Sequence, residues 1–135
     1  MVQGPITATA PPSAARRQRG RTANLTGAIA EEGVTRFYLG RGATLLARRW
    51  RGQAGEIDII FREGPDVVFV EVKASATHAG AAQSLQPRQM RRIAEAACEF
   101  CQRQGWEGPV PMRIDVALVD GQGRVELIPN AFGEM

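Results

Sequence analysis

The sequence is poor in lysine, histidine and cysteine, and it has no long hydrophobic run. Among its 17 basic residues Lys73 is the only lysine, and His78 is the only histidine. No apolar stretch approaches the roughly 20 residues that cross a bilayer, so a membrane span is not expected. The N-terminus also lacks the order of basic, apolar and small residues that marks a secretory signal. We therefore expect the chain to stay in the cytoplasm.

Cysteine is limited to Cys98 and Cys101, which form one Cys-x-x-Cys inside a helical pattern. In a reducing compartment we expect both to be thiols. One such pair and a single histidine cannot close a four-ligand zinc site. Redox motifs of this kind open helices instead of lying within them, so two ordinary helix-face residues are the favoured interpretation.

Acidic residues are missing from the first 30 residues, where basic residues are concentrated. Residues 1–22 are rich in Pro, Ala, Thr and Arg without apolar periodicity, which predicts a disordered basic N-terminal tail before a single domain at residues 23–135. The whole chain carries a formal net charge of +3. A basic arm suits a polyanion such as nucleic acid, and a solvated tail that only aids solubility is an equal alternative on charge alone.

Hydrophobic patterning predicts an α/β fold with the element order αβββαββ and a central mixed sheet flanked by helices. The run "VVFV" is typical of a central strand covered on both faces. The predicted elements are a helix from Leu25 to about Gly40, strands at Thr44 to Trp50, Glu56 to Arg62 and Asp66 to Lys73, a helix at about Pro87 to Gln104, and strands "MRIDVALV" and "RVELI".

Acidic residues interrupt two apolar strands in the stretch "GEIDIIFREGPDVVFVEVK", residues 55–73. A hairpin that turns at "EGPD" would place Asp58 opposite Glu71 and Glu56 opposite Lys73. Directly opposed residues share one face of a sheet, about 4.5 to 5.5 Å apart, where like charges destabilise it. A divalent cation would compensate two acids, and their hard oxygen atoms suit Mg²⁺ or Mn²⁺. Lys73 adds a positive group on the face of Glu71, because the two are two residues apart.

Asp66 of the dipeptide "PD" at Pro65 and Asp66 is not part of this arrangement. Asp66 lies five residues from Glu71, roughly 16 Å along a strand at about 3.3 Å per residue, and on the opposite face. We therefore interpret Pro65 and Asp66 as turn residues. The alternative for Glu71 and Lys73 is an ordinary solvent-facing ion pair at a strand end. Isolated acids among isoleucines and valines favour a site.

These motifs resemble a known group of nucleases. "GEIDII", "VFVEVK", "RIDV" and "IPNAF" are similar to the YraN family of bacterial proteins, which resembles archaeal Holliday junction resolvases. A helix acid followed by Asp and then Glu-x-Lys resembles the PD(D/E)XK nuclease superfamily. The resemblance covers about residues 27–132 and implies a restriction-endonuclease-like core. It also implies an endonuclease that depends on Mg²⁺ or Mn²⁺ and cleaves DNA, including branched or recombination intermediates.

The resemblance further implies a role for individual residues. Asp58, Glu71 and the backbone carbonyl of Val72 would bind the metal ion, and Lys73 would orient or activate the attacking water. Glu32, seven residues before Leu39, would reach the site from the first helix, whereas Glu31 points about 100° away on the helix wheel. The supporting residues are Glu56, Gln89, Arg113 and Asp115, the last two as an ion pair that holds adjacent strands.

Nucleic acid is the expected partner, contacted by basic residues of the tail and of the long helix. A solvated helix face is the alternative for the latter. Because resolvases act as symmetric dimers, a homodimer is expected. Two other functions use the same residues: a nuclease-fold module that binds DNA or a protein partner without turnover, and a nuclease that acts on RNA. The candidate nucleic-acid contacts are Arg16, Arg17, Arg19, Arg21, Arg88, Arg91 and Arg92.

Overall fold

The computed structural model describes residues 27–132. The α/β class predicted from the patterning is confirmed, with one more helix than expected. The predicted tail and its four arginines, Arg16, Arg17, Arg19 and Arg21, lie outside the described residues. In chain order the elements are α1 (residues 27–40), β1 (Thr44–Arg51), β2 (Glu56–Glu63), β3 (Asp66–Ala74), α2 (His78–Gln83), α3 (Pro87–Arg103), β4 (Met112–Val119) and β5 (Val125–Ile128).

The strands form one mixed sheet in the order β1-β2-β3-β4-β5. Neighbouring strands are antiparallel except for β3 and β4, which are parallel and are therefore joined by the crossover through α2 and α3. β3 is the central strand, and its residues Val67, Val68, Phe69 and Val70 are fully buried. The all-apolar run has this position because both faces of the sheet are covered.

Each face of the sheet packs against one long helix. On the first face α1 contributes Val34 and Tyr38, and the ring of Tyr38 stacks on Phe61 with 4.4 Å between ring centroids. On the second face α3 contributes Ile93 and Phe100. The apolar sides of these two helices thus pack on opposite faces of the same strands.

The short helix α2 was not predicted. Its sequence "HAGAAQ" consists mostly of small residues and has no large apolar stripe that periodicity can detect. Two contacts define it: the Thr77 hydroxyl accepts a hydrogen bond from the backbone N–H of Gly80 at 3.0 Å, and Ala81 is buried against β4. α2 therefore depends on a cap and on tertiary packing.

The turn between β2 and β3 contains two residues, Gly64 and Pro65, and the strands pair from Glu63 and Asp66 inward. Gly64 has a φ of +59°, which a side chain rarely permits, and this agrees with glycine at the first central position of a hairpin turn. The predicted register is confirmed, since Arg62 lies opposite Val67.

Two further expectations concern helices. None of the helices within residues 27–132 is long and apolar enough to cross a membrane. Cys98 and Cys101 are free thiols in the interior of α3, as the helical pattern predicted.

Candidate functional site

Asp58 and Glu71 lie together in a pocket of about 230 Å³ at the ends of β2 and β3. Regular pairing of these strands ends at Ile59 opposite Val70. Asp58 and Glu71 are the residues that follow this last pair, and they lie beside each other. The two side chains interact through a hydrogen bond. The remaining residues of the pocket wall come from the loop before β2, from the first residue of β2 and from the first turns of α3: Gly55, Glu56, Gln89, Arg92 and Ile93.

The strand ladder ends at this pocket because the Asp58 side chain takes over a backbone bond. The Asp58 Oδ2 atom accepts a hydrogen bond from the backbone N–H of Val72 at 2.8 Å. In an antiparallel pair, the N–H and C=O of a residue point toward the same neighbouring strand. The carbonyl of Val72 therefore faces the side on which the Asp58 carboxylate lies.

Glu71 is held by two donors from different elements. Its side chain is almost fully buried, with 6% of the residue surface exposed. The Glu71 Oε2 atom accepts a hydrogen bond from Nε2 of Gln89 on α3 at 2.7 Å, and it lies 3.3 Å from the Nζ atom of Lys73. Lys73, the only lysine of the chain, is thus on the same side of β3 as Glu71, as predicted.

Burial is the main cause that raises the pKa of both acids. It raises the pKa of Glu71 to about 8, with a further contribution from the Asp58 carboxylate and an opposing one from Lys73. Burial also raises the pKa of Asp58, against which the hydrogen bonds from Val72 and Glu71 act. The pocket therefore holds two acids whose ionised forms are disfavoured by burial and, for Glu71, also by the neighbouring carboxylate.

Glu32 was predicted to reach the site from the first helix, and the helix acid whose charge interacts with Asp58 is its neighbour Glu31. Burial raises the pKa of Glu31, and the Asp58 carboxylate is the next cause, so the charges of Glu31 and Asp58 interact. The Nε atom of Arg49 lies 3.3 Å from the Glu31 Oε1 atom. Glu32 is exposed and lies 3.1 Å from the Nη1 atom of Arg48.

The rotation of α1 explains the different surroundings of Glu31 and Glu32. Its buried face contains Val34, Thr35 and Tyr38, which follow Glu31 by three, four and seven residues. Glu32 shares its face with Leu39, which is 47% exposed. Glu32 lies seven residues before Leu39 and is therefore on the outer side of the helix. The spacing of the buried residues Val34 and Tyr38 in the sequence was the pattern that indicated Glu31 as the inward-facing acid.

Glu56 lines the pocket, but its ion-pair partner differs from the predicted one. It lies opposite Arg51 of β1, with 3.9 Å between Arg51 Nη2 and Glu56 Oε2. The expected pairing with Lys73 would need β2 and β3 to stay regular beyond Ile59, and the bond from Val72 to Asp58 ends that regularity.

Arg113 and Asp115 belong to a separate network at the other end of β3. Arg113 lies 3.1 Å from Asp115 and 3.0 Å from Asp66, and it also pairs with Glu63. Asp115 is fully buried and accepts further hydrogen bonds from the Tyr38 hydroxyl at 2.6 Å and from the Asn130 N–H at 2.9 Å. This is the arrangement expected for Arg113 and Asp115, an ion pair that supports the strands. Asp66 binds Arg113 in the same network and therefore lies outside the pocket.

The three arginines predicted to contact phosphates lie on the first turns of α3. Arg88, Arg91 and Arg92 are all exposed, and Arg92 also lines the pocket. The proximity of Arg92 to Asp58 and Glu71 follows from the packing of α3 on β2 and β3, which the sequence pattern alone does not reveal.

Comparison with known proteins shows that the whole pocket lies within the region matched by one family model. The model of the family described as "Uncharacterised protein family UPF0102" matches residues 30–119, which include every residue of the pocket wall. The chain belongs to the UPF0102 family. A UPF0102 protein of Ruegeria pomeroyi is 54% identical over 115 residues, covering 85% of this chain and 94% of the relative. One of Cereibacter sphaeroides is 50% identical over 113 residues, covering 84% and 97%, respectively.

A third relative extends the aligned region slightly. The UPF0102 protein of Dinoroseobacter shibae is 46% identical over 120 residues, covering 89% of this chain and 90% of the relative. These three relatives are thus similar to this chain across nearly their whole lengths.

Proposed function

We propose that the protein is a metal-dependent endonuclease that hydrolyses phosphodiester bonds of nucleic acid, with DNA, and in particular branched or recombination intermediates, as substrate. The observation that carries this proposal is the meeting of Asp58 and Glu71 in one pocket with Lys73 bound to Glu71. The motif resemblance to the YraN family, to PD(D/E)XK nucleases and to Holliday junction resolvases supports the substrate class.

The residues of the pocket fit a hard divalent cation. Mg²⁺ is usually bound by one or two carboxylates together with waters and substrate phosphates, and Mn²⁺ accepts the same oxygen ligands. Asp58 and Glu71 supply two carboxylates, and the Val72 carbonyl faces the same side. Burial raises the pKa of both acids, and a bound cation would favour their ionised forms. Asp58, Glu71 and Val72 would therefore hold the ion.

Such an ion, when bound, would stabilise negative charge on the phosphate and lower the pKa of a water molecule. The chain's own residues orient the reacting groups. The Lys73 ammonium, 3.3 Å from Glu71, would attract a phosphate or orient an attacking water. Gln89 and Lys73 together hold the Glu71 Oε2 atom, which fixes the direction of the carboxylate.

The test is a cleavage assay with purified full-length protein. Labelled linear, flapped and four-way-junction DNA, and a matching RNA, are incubated with and without Mg²⁺ or Mn²⁺. We expect metal-dependent cleavage that is lost in Asp58→Asn and Glu71→Ala and kept in Asp66→Asn, whose acid pairs with Arg113 away from the pocket. Loss of cleavage in Asp66→Asn but not in Asp58→Asn would overturn the assignment. The mass of the protein in solution tests the expected homodimer.

A binding module is the second candidate, and one observation favours it. Within residues 27–132, no group of three or more His, Cys, Asp or Glu side chains is arranged to hold a metal ion. A nuclease-fold protein that binds DNA or a protein partner without turnover would need no such group. Nucleic-acid binding that is unaffected by Mg²⁺, with no product after long incubation, would establish this candidate and exclude the endonuclease.

A further inference from the structure

Three arginines at the start of α3 differ from most other arginines of the described residues in having no ion-pair partner. The side chains of Arg88, Arg91 and Arg92 form no ion pair or hydrogen bond with any residue between 27 and 132, and all three residues are exposed. Seven other described arginines have a carboxylate within 4 Å: Arg41, Arg48, Arg49, Arg51, Arg103, Arg113 and Arg124. The positive charge of this part of α3 is therefore uncompensated within the described chain.

The position of these charges is unfavourable for the helix itself. They lie in the first two turns of α3, which contain no acidic residue, and the N-cap residue Gln86 makes no side-chain capping bond. Cations near a helix N-terminus oppose the helix dipole, which favours acids there. The acids of α3, Glu95 and Glu99, come later, and Glu99 binds the backbone N–H groups of Gln53 and Ala54. Since this arrangement does not stabilise the helix, a ligand is the better explanation.

The charges also lie beside the acid pocket. Arg92 forms part of its wall together with Asp58 and Glu71, and Gln89, which binds Glu71, lies between Arg88 and Arg92 on the same helix turns. Arg88 is one turn before Arg91 and Arg92, a rise of about 5 to 6 Å. This spacing suits successive phosphates of a single strand that runs along α3 toward the pocket.

We infer that Arg88, Arg91 and Arg92 form a phosphate-binding track that guides one nucleic-acid strand into the Asp58 and Glu71 pocket. The inference deepens the proposed endonuclease function by assigning the surface on which its substrate lies. Arginine suits this role because its guanidinium group binds phosphate oxygens in a bidentate manner.

The experiment measures binding in the absence of cleavage. Fluorescence anisotropy with a labelled single strand and with the matching duplex is recorded in EDTA over a series of salt concentrations, using the full chain. The test variant is Arg88→Ala combined with Arg91→Ala, which leaves the pocket wall intact. The control combines Arg103→Ala with Arg124→Ala, two exposed arginines that have carboxylate partners.

Each lost phosphate contact lowers the slope of log K against log salt by about 0.7 for a single strand and about 0.9 for a duplex. The test variant should therefore lose about 1.4 or 1.8 from the slope, and the control should keep the wild-type slope. An unchanged slope in the test variant, an equal loss in the control, or no binding by the wild type would overturn the track. Equally tight and equally arginine-dependent binding of polyglutamate would overturn it in favour of an acidic protein partner.

The outcomes also separate this inference from the endonuclease proposal. If the wild type cleaves in Mg²⁺ and the test variant binds normally, the nuclease stands and the track fails. If the test variant loses slope while the wild type never cleaves, the track stands and the nuclease fails.

Discussion

The carboxylate of Asp58 occupies the place of a backbone carbonyl, because it accepts the N–H of Val72 at 2.8 Å where β2 and β3 cease to pair. This single bond has two effects. It turns an acid toward the end of the central strand, next to Glu71, and it frees the strand end to form a pocket. The acid pair thus depends on an interruption of the sheet and not on its regular part.

Stability without metal should depend on the charge of Glu71. Its pKa is 4.5 in the unfolded chain and about 8 in the folded protein, so between these values the folded state binds a proton that the unfolded state gives up. Stability should therefore fall by a few kcal/mol as the pH rises from 4.5 to 8. In Glu71→Gln this fall should largely disappear, since glutamine stays neutral. Urea unfolding of the wild type and of Glu71→Gln in EDTA at pH 5.5 and pH 8.5 measures this fall in each protein.

The control for this prediction is Glu95→Gln, which replaces an exposed glutamate on α3. It should retain the pH dependence of the wild type. A fall of equal size in Glu71→Gln would show that Glu71 is not the group responsible.

Metal binding near pH 7 should release about one proton. Because the pKa of Glu71 is about 8, the acid pair is protonated at this pH and must lose its proton to become a metal ligand. Calorimetric titration with Mn²⁺ in two buffers of different ionisation enthalpy measures the proton directly. Asp58→Asn should weaken binding by at least about tenfold, and Asp66→Asn should bind as the wild type does. Heats that are the same in both buffers would contradict this prediction.

Glu31 and Glu32 provide a matched pair on one helix. The charge of Glu31 interacts with that of Asp58, whereas Glu32 is exposed and bound to Arg48. Glu31→Gln should lower metal affinity by roughly 10- to 100-fold, the usual range for a group that supports metal ligands. Glu32→Gln should change it by less than about twofold, as expected for an exposed ion pair. The reverse order of effects would restore Glu32 as the helix acid.

Tyr38 should contribute to stability and not to metal binding. Its hydroxyl donates to the buried carboxylate of Asp115 at 2.6 Å, on the opposite side of the sheet from α3. Tyr38→Phe removes this donor and should lower the free energy of unfolding by about 1.5 to 3 kcal/mol, as for other hydrogen bonds to charged groups. Urea denaturation measures the loss, and Mn²⁺ affinity should remain that of the wild type. A variant as stable as the wild type would show that the bonds from Arg113 and from the Asn130 N–H are enough to stabilise the buried Asp115 carboxylate.

Much of the strand arrangement follows from local sequence. The alternation of "GEIDII" and "VFVEVK" and the two-residue turn at Gly64 and Pro65 predict the register that the structure shows. In contrast, α2 escaped prediction because its small residues have no periodicity, and the partner of Glu56 was predicted wrongly because regular pairing was extended past Ile59. Local patterns describe regular elements well and their interruptions poorly.

Local sequence is sufficient to bring Asp58, Glu71 and Lys73 together, because a side-chain period of two and a tight turn leave one register for the hairpin. Which residues of other elements surround them depends on how the helices pack on the sheet. The rotation of α1 on the sheet selects Glu31 over Glu32, and the packing of α3 brings Gln89 onto Glu71 and Arg92 onto the pocket wall. These contacts join residues that are distant in sequence, and side-chain packing between layers, which no local pattern encodes, sets their geometry.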